Sequence, residues 1–156
     1  MFGDEAASNV FESPVVFSAE NWVACGCELR VADINDAAAL TKAFKEADGV
    51  FILVPPNFDP SPDFRDARAT ATALSSALEA ARPKRAVYLS TIGAQANRSN
   101  LLTQHTIIEQ ELRKLSVPIT FLRPAWYMGN SSWDVASAKN GAIASFLQPL
   151  DRPVPR

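Results

Sequence analysis

The clearest pattern of strands and helices in this chain lies in the segment VFILVPPNFDPSPDFRDARATATALSSALEAARPKRAVYLS, from Val50 to Ser90. It begins with five apolar residues in a row, Val50–Val54, as in a strand that is buried on both faces. A loop follows, since four of the eight residues from Pro55 to Pro62 are proline. Apolar residues then recur at steps of three and four as far as Ala81, which predicts an amphipathic helix. The segment ends in a second strand, RAVYLS (Arg85–Ser90), so it predicts one β-α-β unit.

The same alternation continues on both sides of this unit. Before it, ELRVAD (Glu28–Asp33) predicts a strand, and INDAAALTKAFKEADG predicts a helix that Asn35 or Asp36 caps and Gly49 ends. The helix of the central unit has Asp63 as its predicted cap. After the unit, NLLTQHTIIEQELRKLS predicts a helix and PITFLRP (Pro118–Pro124) a fourth strand.

The two ends of the chain follow the pattern less closely. SPVVFS (Ser13–Ser18) and AIASFL are further candidates for strands, and a short helix is predicted to end at Asn140. Strands that alternate with helices predict an α/β fold with three layers: a mostly parallel sheet and helices on both of its faces.

In such a sheet ligands bind beyond the carboxyl ends of the strands. Four loops are therefore expected to meet at one site. They begin at Asp33, at Val54-Pro55-Pro56, at Ser90-Thr91 and at Pro124-Ala125-Trp126-Tyr127.

Length and composition exclude several classes of protein. The 156 residues suit one domain, and 47% hydrophobic with 21% charged residues is an ordinary globular balance. The net charge of −2 argues against a nucleic-acid-binding surface, which usually carries a basic patch. No apolar run approaches the ~18 residues that span a bilayer, and the acidic N-terminus is unlike a signal peptide. The predicted location is the cytoplasm, without a membrane partner.

Cys25 and Cys27 are the two cysteines. A redox pair or half of a metal site is one interpretation, but a zinc site needs more ligands and the single histidine lies far away in the sequence. Two reduced thiols are the preferred interpretation, because disulfides are rare in the cytosol. No metal site is predicted.

That single histidine, His105, lies four residues before Glu109 in the third predicted helix. The two side chains therefore lie on one face of the helix, on the side that also carries Ile108 and Leu112. One hypothesis makes them a reactive centre, since a histidine with a pKa near 6.5 is a suitable proton donor. The other makes them an ordinary helix pair that stabilises the helix by ~0.2–0.5 kcal/mol.

Four pieces of the chain together resemble the NmrA-like family of atypical short-chain dehydrogenases/reductases. They are GCELRVADINDAAALTKAFKEADGVFILVPP, VYLSTIGAQ, QHTIIEQEL and VPITFLRPAWYMGN, in that order. The resemblance implies a Rossmann-type NAD(P)-binding domain. The family includes NAD(P)H-dependent quinone and azo-compound reductases, and also regulators that bind NADP without obvious turnover.

The resemblance also implies roles for individual residues. His105 would donate a proton to a quinone oxygen, at the helix position where typical short-chain dehydrogenases carry a tyrosine, and Glu109 would orient the ring or stabilise its charged form. The dinucleotide would contact the four strand-end loops. Asp33 and Ile34 would lie beside the adenine, Val54, Pro55 and Pro56 along the ribose and pyrophosphate, Ser90 and Thr91 near the nicotinamide or substrate, and Pro124, Ala125, Trp126 and Tyr127 on the nicotinamide side.

The chain departs from the family at the phosphate-binding loop. None of the six glycines gives the Gly-x-x-Gly-x-x-Gly spacing that the family places after its first strand. Residues 1–25 match the family poorly, and residues 26–156 resemble a partial domain, as from a divergent or truncated gene. Losing several N–H contacts to phosphate, each worth roughly 1.5–3 kcal/mol, would weaken NAD(P)H binding about a thousandfold or more. The choice between NAD and NADP stays open.

Two functions and one further interpretation follow. The chain is an NAD(P)H-dependent oxidoreductase that acts on a small molecule such as a quinone, or a non-catalytic NAD(P)-sensing or protein-binding regulator, or a truncated inactive product. A homodimer is also expected, because Val50–Val54 would lack the neighbouring central strand and present an open edge.

Overall fold

The computed structural model describes residues 19–125 and 127–143. The elements in this part of the chain are α1 (Ala19–Ala24), α2 (Ala37–Phe44), β1 (Gly49–Ile52), α3 (Arg65–Ala81), β2 (Arg85–Leu89), α4 (Thr103–Leu112), β3 (Ile119–Leu122), a 3-10 helix (Met128–Asp134) and α5 (Val135–Lys139). Three interpretations of the sequence lie wholly or partly outside it: the strand at Ser13–Ser18, the strand AIASFL, and Trp126 as a site residue.

The described sheet has three parallel strands in the order β1-β2-β3. Ile52 pairs with Tyr88, and Leu89 pairs with Leu122, so the carboxyl ends of the strands lie close to one another. Parallel strands joined through helices are the arrangement that the alternating pattern predicts. The prediction of an α/β, Rossmann-type fold is therefore confirmed.

The core lies between the sheet and the helices α2, α3 and α4. Fully buried side chains from both layers meet there, namely Leu40, Leu74, Leu78, Tyr88, Ile108 and Leu112. The small residues of α3 allow this close contact, since Ala71, Ala73 and Ala77 are buried along its length. This helix is the central support of the layer, because α2 packs on one side of it and α4 on the other.

The opposite face of the sheet is open in the described residues, contrary to expectation. β1 buries Val50 and Ile52 but leaves Phe51 61% exposed, so its residues alternate between core and surface. Leu53 and Leu122 are exposed as well. The prediction that Val50–Val54 is buried on both faces is wrong for this part of the chain, because a run of apolar residues cannot by itself show whether a second helical layer covers the strand.

Residues 28–33 do not form the predicted strand. They form no regular secondary structure and lie beside α2, where the guanidinium group of Arg30 donates a hydrogen bond to the carbonyl oxygen of Lys42. Val31 is 71% exposed. A β-prone sequence forms a strand only when another strand supplies hydrogen bonds, and none of the described strands lies beside it.

Helix ends follow the predictions in part. The carboxylate of Asp36 caps α2 by accepting hydrogen bonds from the N–H groups of Ala38 and Ala39, as predicted. Gly49 does not end that helix, since Lys45 already leaves the helical conformation and Gly49 belongs to β1. Asp63 does not cap α3 either.

The start of α3 is fixed in another way. Phe64 adopts a left-handed conformation (φ 52°), and the hydroxyl group of Ser61 accepts a hydrogen bond from the N–H group of Arg65. The proline-rich loop therefore supplies the capping side chain from Ser61, two residues before the predicted Asp63. None of the helices in residues 19–125 and 127–143 has the length and apolar character needed to cross a membrane.

Candidate functional site

Three of the four predicted site loops begin at the same edge of the sheet. Val54 follows β1, Ser90 follows β2 and Pro124 comes shortly after β3, and the three strands run parallel. This shared edge is the position at which parallel sheets bind their ligands. The structure therefore brings these loops together as neighbours.

The loops after β2 and β3 are also hydrogen-bonded to each other. The N–H group of Ser90 donates to the carbonyl oxygen of Leu122 (2.8 Å), and the N–H group of Ile92 donates to that of Pro124 (2.9 Å). Thr91 lies between them and is partly buried. These two hydrogen bonds continue the pairing of β2 with β3 beyond the ends of the two strands, and they place Thr91 beside Pro124 and Ala125.

The remaining predicted positions have different environments. Val54 is partly buried and packs against the core, whereas Pro55 and Pro56 are exposed. Tyr127 is 50% exposed and directly precedes the 3-10 helix. Pro55, Pro56 and Tyr127 are thus accessible to solvent.

Asp33 and Ile34 do not follow a strand in the described part of the chain, unlike the other three predicted loops. The carboxylate of Asp33 accepts a hydrogen bond from the N–H group of Asn35 (2.7 Å) and forms a local turn. The side chain of Asn35 in turn accepts a hydrogen bond from the buried hydroxyl group of Thr70 on α3 (2.9 Å). The fourth loop is therefore attached to the domain through α3 rather than through strand pairing.

Glu109 is the centre of a buried ion cluster. Its side chain is 3% exposed. One carboxylate oxygen, Oε1, accepts hydrogen bonds from the hydroxyl group of Ser90 (2.6 Å) and from Nε of Arg123 (2.8 Å). The other, Oε2, accepts from the guanidinium groups of Arg123 and Arg113. Arg123 and Arg113 therefore both form ion pairs with Glu109.

This cluster decides the charge of Glu109. Burial acts to raise the pKa of the carboxyl group, but the hydrogen bonds from Arg123, Ser90 and Arg113 outweigh it and lower the pKa to about 2. Glu109 is therefore a permanent anion near neutral pH. Because Ser90 and Arg123 follow two different strands, one carboxylate fixes both loops relative to α4.

His105 has a different partner from the one that the sequence indicates. Its Nδ1 atom lies 2.7 Å from the hydroxyl oxygen of Tyr88, a residue of β2 that is fully buried. No hydrogen bond joins His105 to Glu109 among the described side chains. Burial lowers the pKa of His105, and the negative charge of Glu109 acts more weakly in the opposite direction.

Tyr88 and Arg113 are the site residues that the sequence analysis missed. A spacing in the sequence could have indicated each of these two residues. Tyr88 lies two residues before Ser90 in a strand, so both side chains point to the same face of the sheet. Arg113 lies four residues after Glu109 in a helical pattern, which is the spacing of an ion pair.

A cavity of about 600 Å³ lies along another flank of α4. Its lining carries three arginines and one carboxylate, Arg98, Arg113, Arg123 and Glu109. Two of the three guanidinium groups are already held by the carboxylate. His105 does not line this cavity, so the cavity and the imidazole ring are separate features of the helix.

The cysteines take no part in the site. Cys25 and Cys27 are exposed, free thiols after α1. Within the described residues, no three histidine, cysteine or acidic side chains come together as metal ligands do.

A dinucleotide such as NAD(P)H, the cofactor that the family resemblance implies, has a pyrophosphate group at its centre. The pyrophosphate needs free N–H groups at a helix N-terminus. In the described part of the chain, α2 has its first N–H groups taken by Asp36, and Ser61 takes one from α3.

Solved structures with the same fold include reductases and an epimerase. Triphenylmethane reductase from Citrobacter sp. is 25% identical over 80% of this chain and 43% of that one, with a TM-score of 0.65. An NADPH-dependent quinone oxidoreductase from Escherichia coli, complexed with NADPH, is 26% identical over 79% and 42%, with a TM-score of 0.63. A nucleoside-diphosphate-sugar epimerase from Staphylococcus aureus is 17% identical over 86% and 44%, with a TM-score of 0.63.

The chain thus spans less than half the length of these structures. No curated protein matches its sequence significantly. The family comparison is more extensive, because residues 18–143 match the NAD(P)H-binding family. That match covers most of the chain and agrees with the NmrA-like resemblance, which is confirmed together with NAD(P)H as the implied cofactor. The chain belongs to the NAD(P)H-binding family.

Proposed function

We propose that this chain is the nucleotide-binding part of an NAD(P)H-dependent oxidoreductase that reduces a flat organic acceptor of the quinone class. One observation carries the proposal more than any other. A partly buried imidazole, His105, lies on the helix that follows β2, in a chain 26% identical to a quinone oxidoreductase. Family membership supplies the cofactor, and the strand-end loops supply an apolar surface for a planar ring.

The proposed placement of the cofactor follows the order of the loops. The nicotinamide lies between Ser90-Thr91 and Pro124–Tyr127, with the ribose and pyrophosphate along Val54–Pro56 and the adenine towards Asp33-Ile34. Bound NAD(P)H would supply a hydride, and a quinone that accepts it needs one proton to become the hydroquinone. His105 is the proposed residue at the acceptor oxygen.

Glu109 has a supporting role in this proposal. Its four hydrogen bonds fix the loops after β2 and β3, which are the loops on either side of the nicotinamide position. The hydroxyl group of Ser90 is turned towards Glu109 and buried, so Ser90 positions Thr91 rather than touching the ligand. Such rigid support holds reacting groups in place before the substrate arrives.

Calorimetric titration of the purified chain with NADPH and then NADH tests the first step. Saturable binding, followed by quinone-dependent oxidation of NADPH, supports the oxidoreductase. His105→Ala should then lower the turnover, while Glu111→Gln, an exposed change on the same helix, should leave it unchanged. Binding without turnover supports the alternative of a non-catalytic NAD(P) sensor. No heat at millimolar nucleotide overturns the proposal for this chain and leaves a truncated, inactive product.

We also propose that two copies associate through β1. In the described sheet this strand is hydrogen-bonded on one side alone, and Phe51 in the strand and Leu53 directly after it are exposed apolar side chains. A dimeric mass by light scattering at micromolar concentration is expected. Phe51→Glu should reduce it, and Phe58→Glu, in the proline-rich loop, should not. A monomeric wild-type protein would exclude this association.

The proposed location is the cytoplasm, supported by two exposed cysteines that remain unpaired. The acceptor is proposed to be a small molecule, and neither nucleic acid nor a membrane is proposed as a partner. The net charge of −2 supports the first exclusion.

A further inference from the structure

We propose that Tyr88 is a positioning residue that holds His105 in the tautomer with its proton on Nε2, so that a neutral ring meets the acceptor as a hydrogen-bond donor. The first half of this inference concerns two side chains of this chain and stands on their geometry. The second half rests on the proposed oxidoreductase function.

Tyr88 is held rigidly enough to fix another side chain. Its side chain is 0% exposed and belongs to the core between the sheet and α4. The ring of Phe121, from the neighbouring strand β3, packs against it edge to face at 6.3 Å between centroids. The imidazole of His105 is tilted by 44° to the phenol ring, at 6.0 Å between centroids. The hydroxyl group therefore has one direction in which to point, and Nδ1 of His105 lies there.

The direction of this hydrogen bond follows from the burial of the hydroxyl group. If Nδ1 carried the proton and donated it, the O–H proton of Tyr88 would be left without an acceptor inside the core, which is unfavourable. If Tyr88 donates to a bare Nδ1, the buried O–H group has its acceptor. The ring proton then resides on Nε2. Among the described residues, no hydrogen-bond partner is present at Nε2, so this N–H group remains available to a ligand.

The same geometry disfavours a charged ring. Protonation of Nδ1 would turn it from an acceptor into a donor. The O–H group of Tyr88 would then lose its acceptor in the core. The charged groups around the ring offer little compensation, since Glu109, one turn further along α4, is already neutralised by Arg123 and Arg113. The buried face of α3, which packs on α4, carries alanine, leucine, serine and threonine side chains. Burial accordingly lowers the pKa of His105 and raises that of Tyr88.

A neutral imidazole acts differently from an imidazolium. It polarises the acceptor oxygen through Nε2–H and stabilises the negative charge that develops there as a hydride arrives. The proton that completes the hydroquinone then comes from water. Tyr88 is a poor source for it, because its phenolate would be buried in the core. The sequence suggested a histidine that gives up a proton; the structure favours one that donates a hydrogen bond and keeps it.

The chain offers a direct test, because His105 is its single histidine. Histidine labelled with nitrogen-15 gives one imidazole spectrum, whose two nitrogen shifts report the tautomer without any assignment problem. The wild-type protein should show the proton on Nε2 and should titrate below the ordinary value of 6.5. Tyr88→Phe should mix the two tautomers and raise the pKa of His105 by about 0.5–1 unit, since the neutral form loses its stabilising bond. Tyr127→Phe, which changes the other tyrosine, should alter neither.

Every outcome of these spectra decides the first half of the inference. A wild-type ring with its proton on Nδ1 overturns it, and this measurement requires no variant to fold. Equal spectra for the wild-type protein and Tyr88→Phe overturn it as well. The result holds whether or not the chain proves to be an enzyme.

Kinetics decide the second half. Where quinone-dependent turnover is found, kcat should stay level from about one pH unit above the pKa measured for His105 up to about pH 8, because the neutral donor persists there. A tenfold fall in kcat per pH unit above the pKa measured for His105 would overturn the neutral-donor role and favour an imidazolium. Tyr88→Phe should lower kcat more than it changes KM. A chain without turnover but with the Nε2 tautomer would refute the proposed function and this second half, while Tyr88 would keep its positioning role.

Discussion

Replacing Glu109 with glutamine removes the charge of the buried carboxylate but keeps its shape and one acceptor oxygen. The glutamine oxygen can still accept from Ser90 and from Nε of Arg123. Its amide nitrogen, however, faces the N–H groups of Arg123 and Arg113 that Oε2 accepts in the wild-type protein. The change therefore turns two charge-assisted hydrogen bonds into repulsive contacts between donors.

The loss of stability can be worked out in two ways. Removing one partner of a buried ion pair costs about 3–5 kcal/mol, and here the cost is lower, ~2–3 kcal/mol, because both arginines can regain water. Their side chains are 33% and 53% exposed. Independently, a pKa that folding lowers from 4.5 to about 2 corresponds to a stabilisation of roughly 3 kcal/mol at neutral pH. The two routes agree.

Urea denaturation at pH 7 measures this loss, with Glu111→Gln as the matched control. Glu111 lies on the same helix in an exposed pair with Lys114, which contributes ~0–1 kcal/mol. Since the folded pKa of Glu109 lies below the unfolded one, its stabilisation is complete above about pH 5 and disappears as pH falls towards 2. The gap between wild type and Glu109→Gln should close over that range. A loss of less than ~0.5 kcal/mol at about pH 7, or a gap that stays constant down to about pH 3, would show that the charge of Glu109 does not stabilise the fold.

Three other substitutions test the frame that holds the site. Leu78→Ala in α3 should lower the free energy of unfolding, measured by urea denaturation, by about 2–5 kcal/mol, because the fully buried side chain leaves a cavity. Ser76→Ala, at an exposed position of the same helix, should change it little. Asp36→Ala should cost about 1 kcal/mol, since two N–H groups of α2 lose their acceptor, and an unchanged urea midpoint would contradict the cap. Gly93→Ala should destabilise by ~1–2 kcal/mol, because Gly93 has φ +91° and a Cβ atom there would lie 3.2 Å from Leu102; Gly129→Ala, with open space around it, is the control in thermal melts.

The sequence predicted the fold well where the pattern is local. Strands at β2 and β3 and helices at α2, α3 and α4 follow from runs and spacings that the neighbouring residues determine. The prediction of a strand at residues 28–33 was wrong because a strand needs a neighbouring strand that is distant in sequence. A local sequence pattern cannot show whether that neighbour is present. The prediction that both faces of the strand around Phe51 are buried was wrong for the same reason, because burial depends on which other element packs on that face.

The sequence predicted which loops lie together better than it predicted which side chains are hydrogen-bonded to one another. The loops after β1, β2 and β3 meet as the parallel sheet requires, and the cluster around Glu109 shows why its neighbours cannot be derived from helix spacing alone. Glu109 is four residues from His105, yet its bonds lead to Ser90 and Arg123, which are 19 and 14 residues away. The proposed proton donor role of His105 stays a prediction.

The short range of these bonds has a consequence for folding. The contacts that unite β2, α4 and β3 join residues less than 20 positions apart: Ser90 with Glu109, Tyr88 with His105 and Arg123 with Glu109. Contacts between residues that are close in sequence close small loops and form quickly. We therefore expect residues 85–123 to acquire protection from hydrogen exchange early in refolding, before β1 joins the sheet. The part of the candidate site around His105 and Glu109 would then be assembled first, and the loop after β1 would join it last.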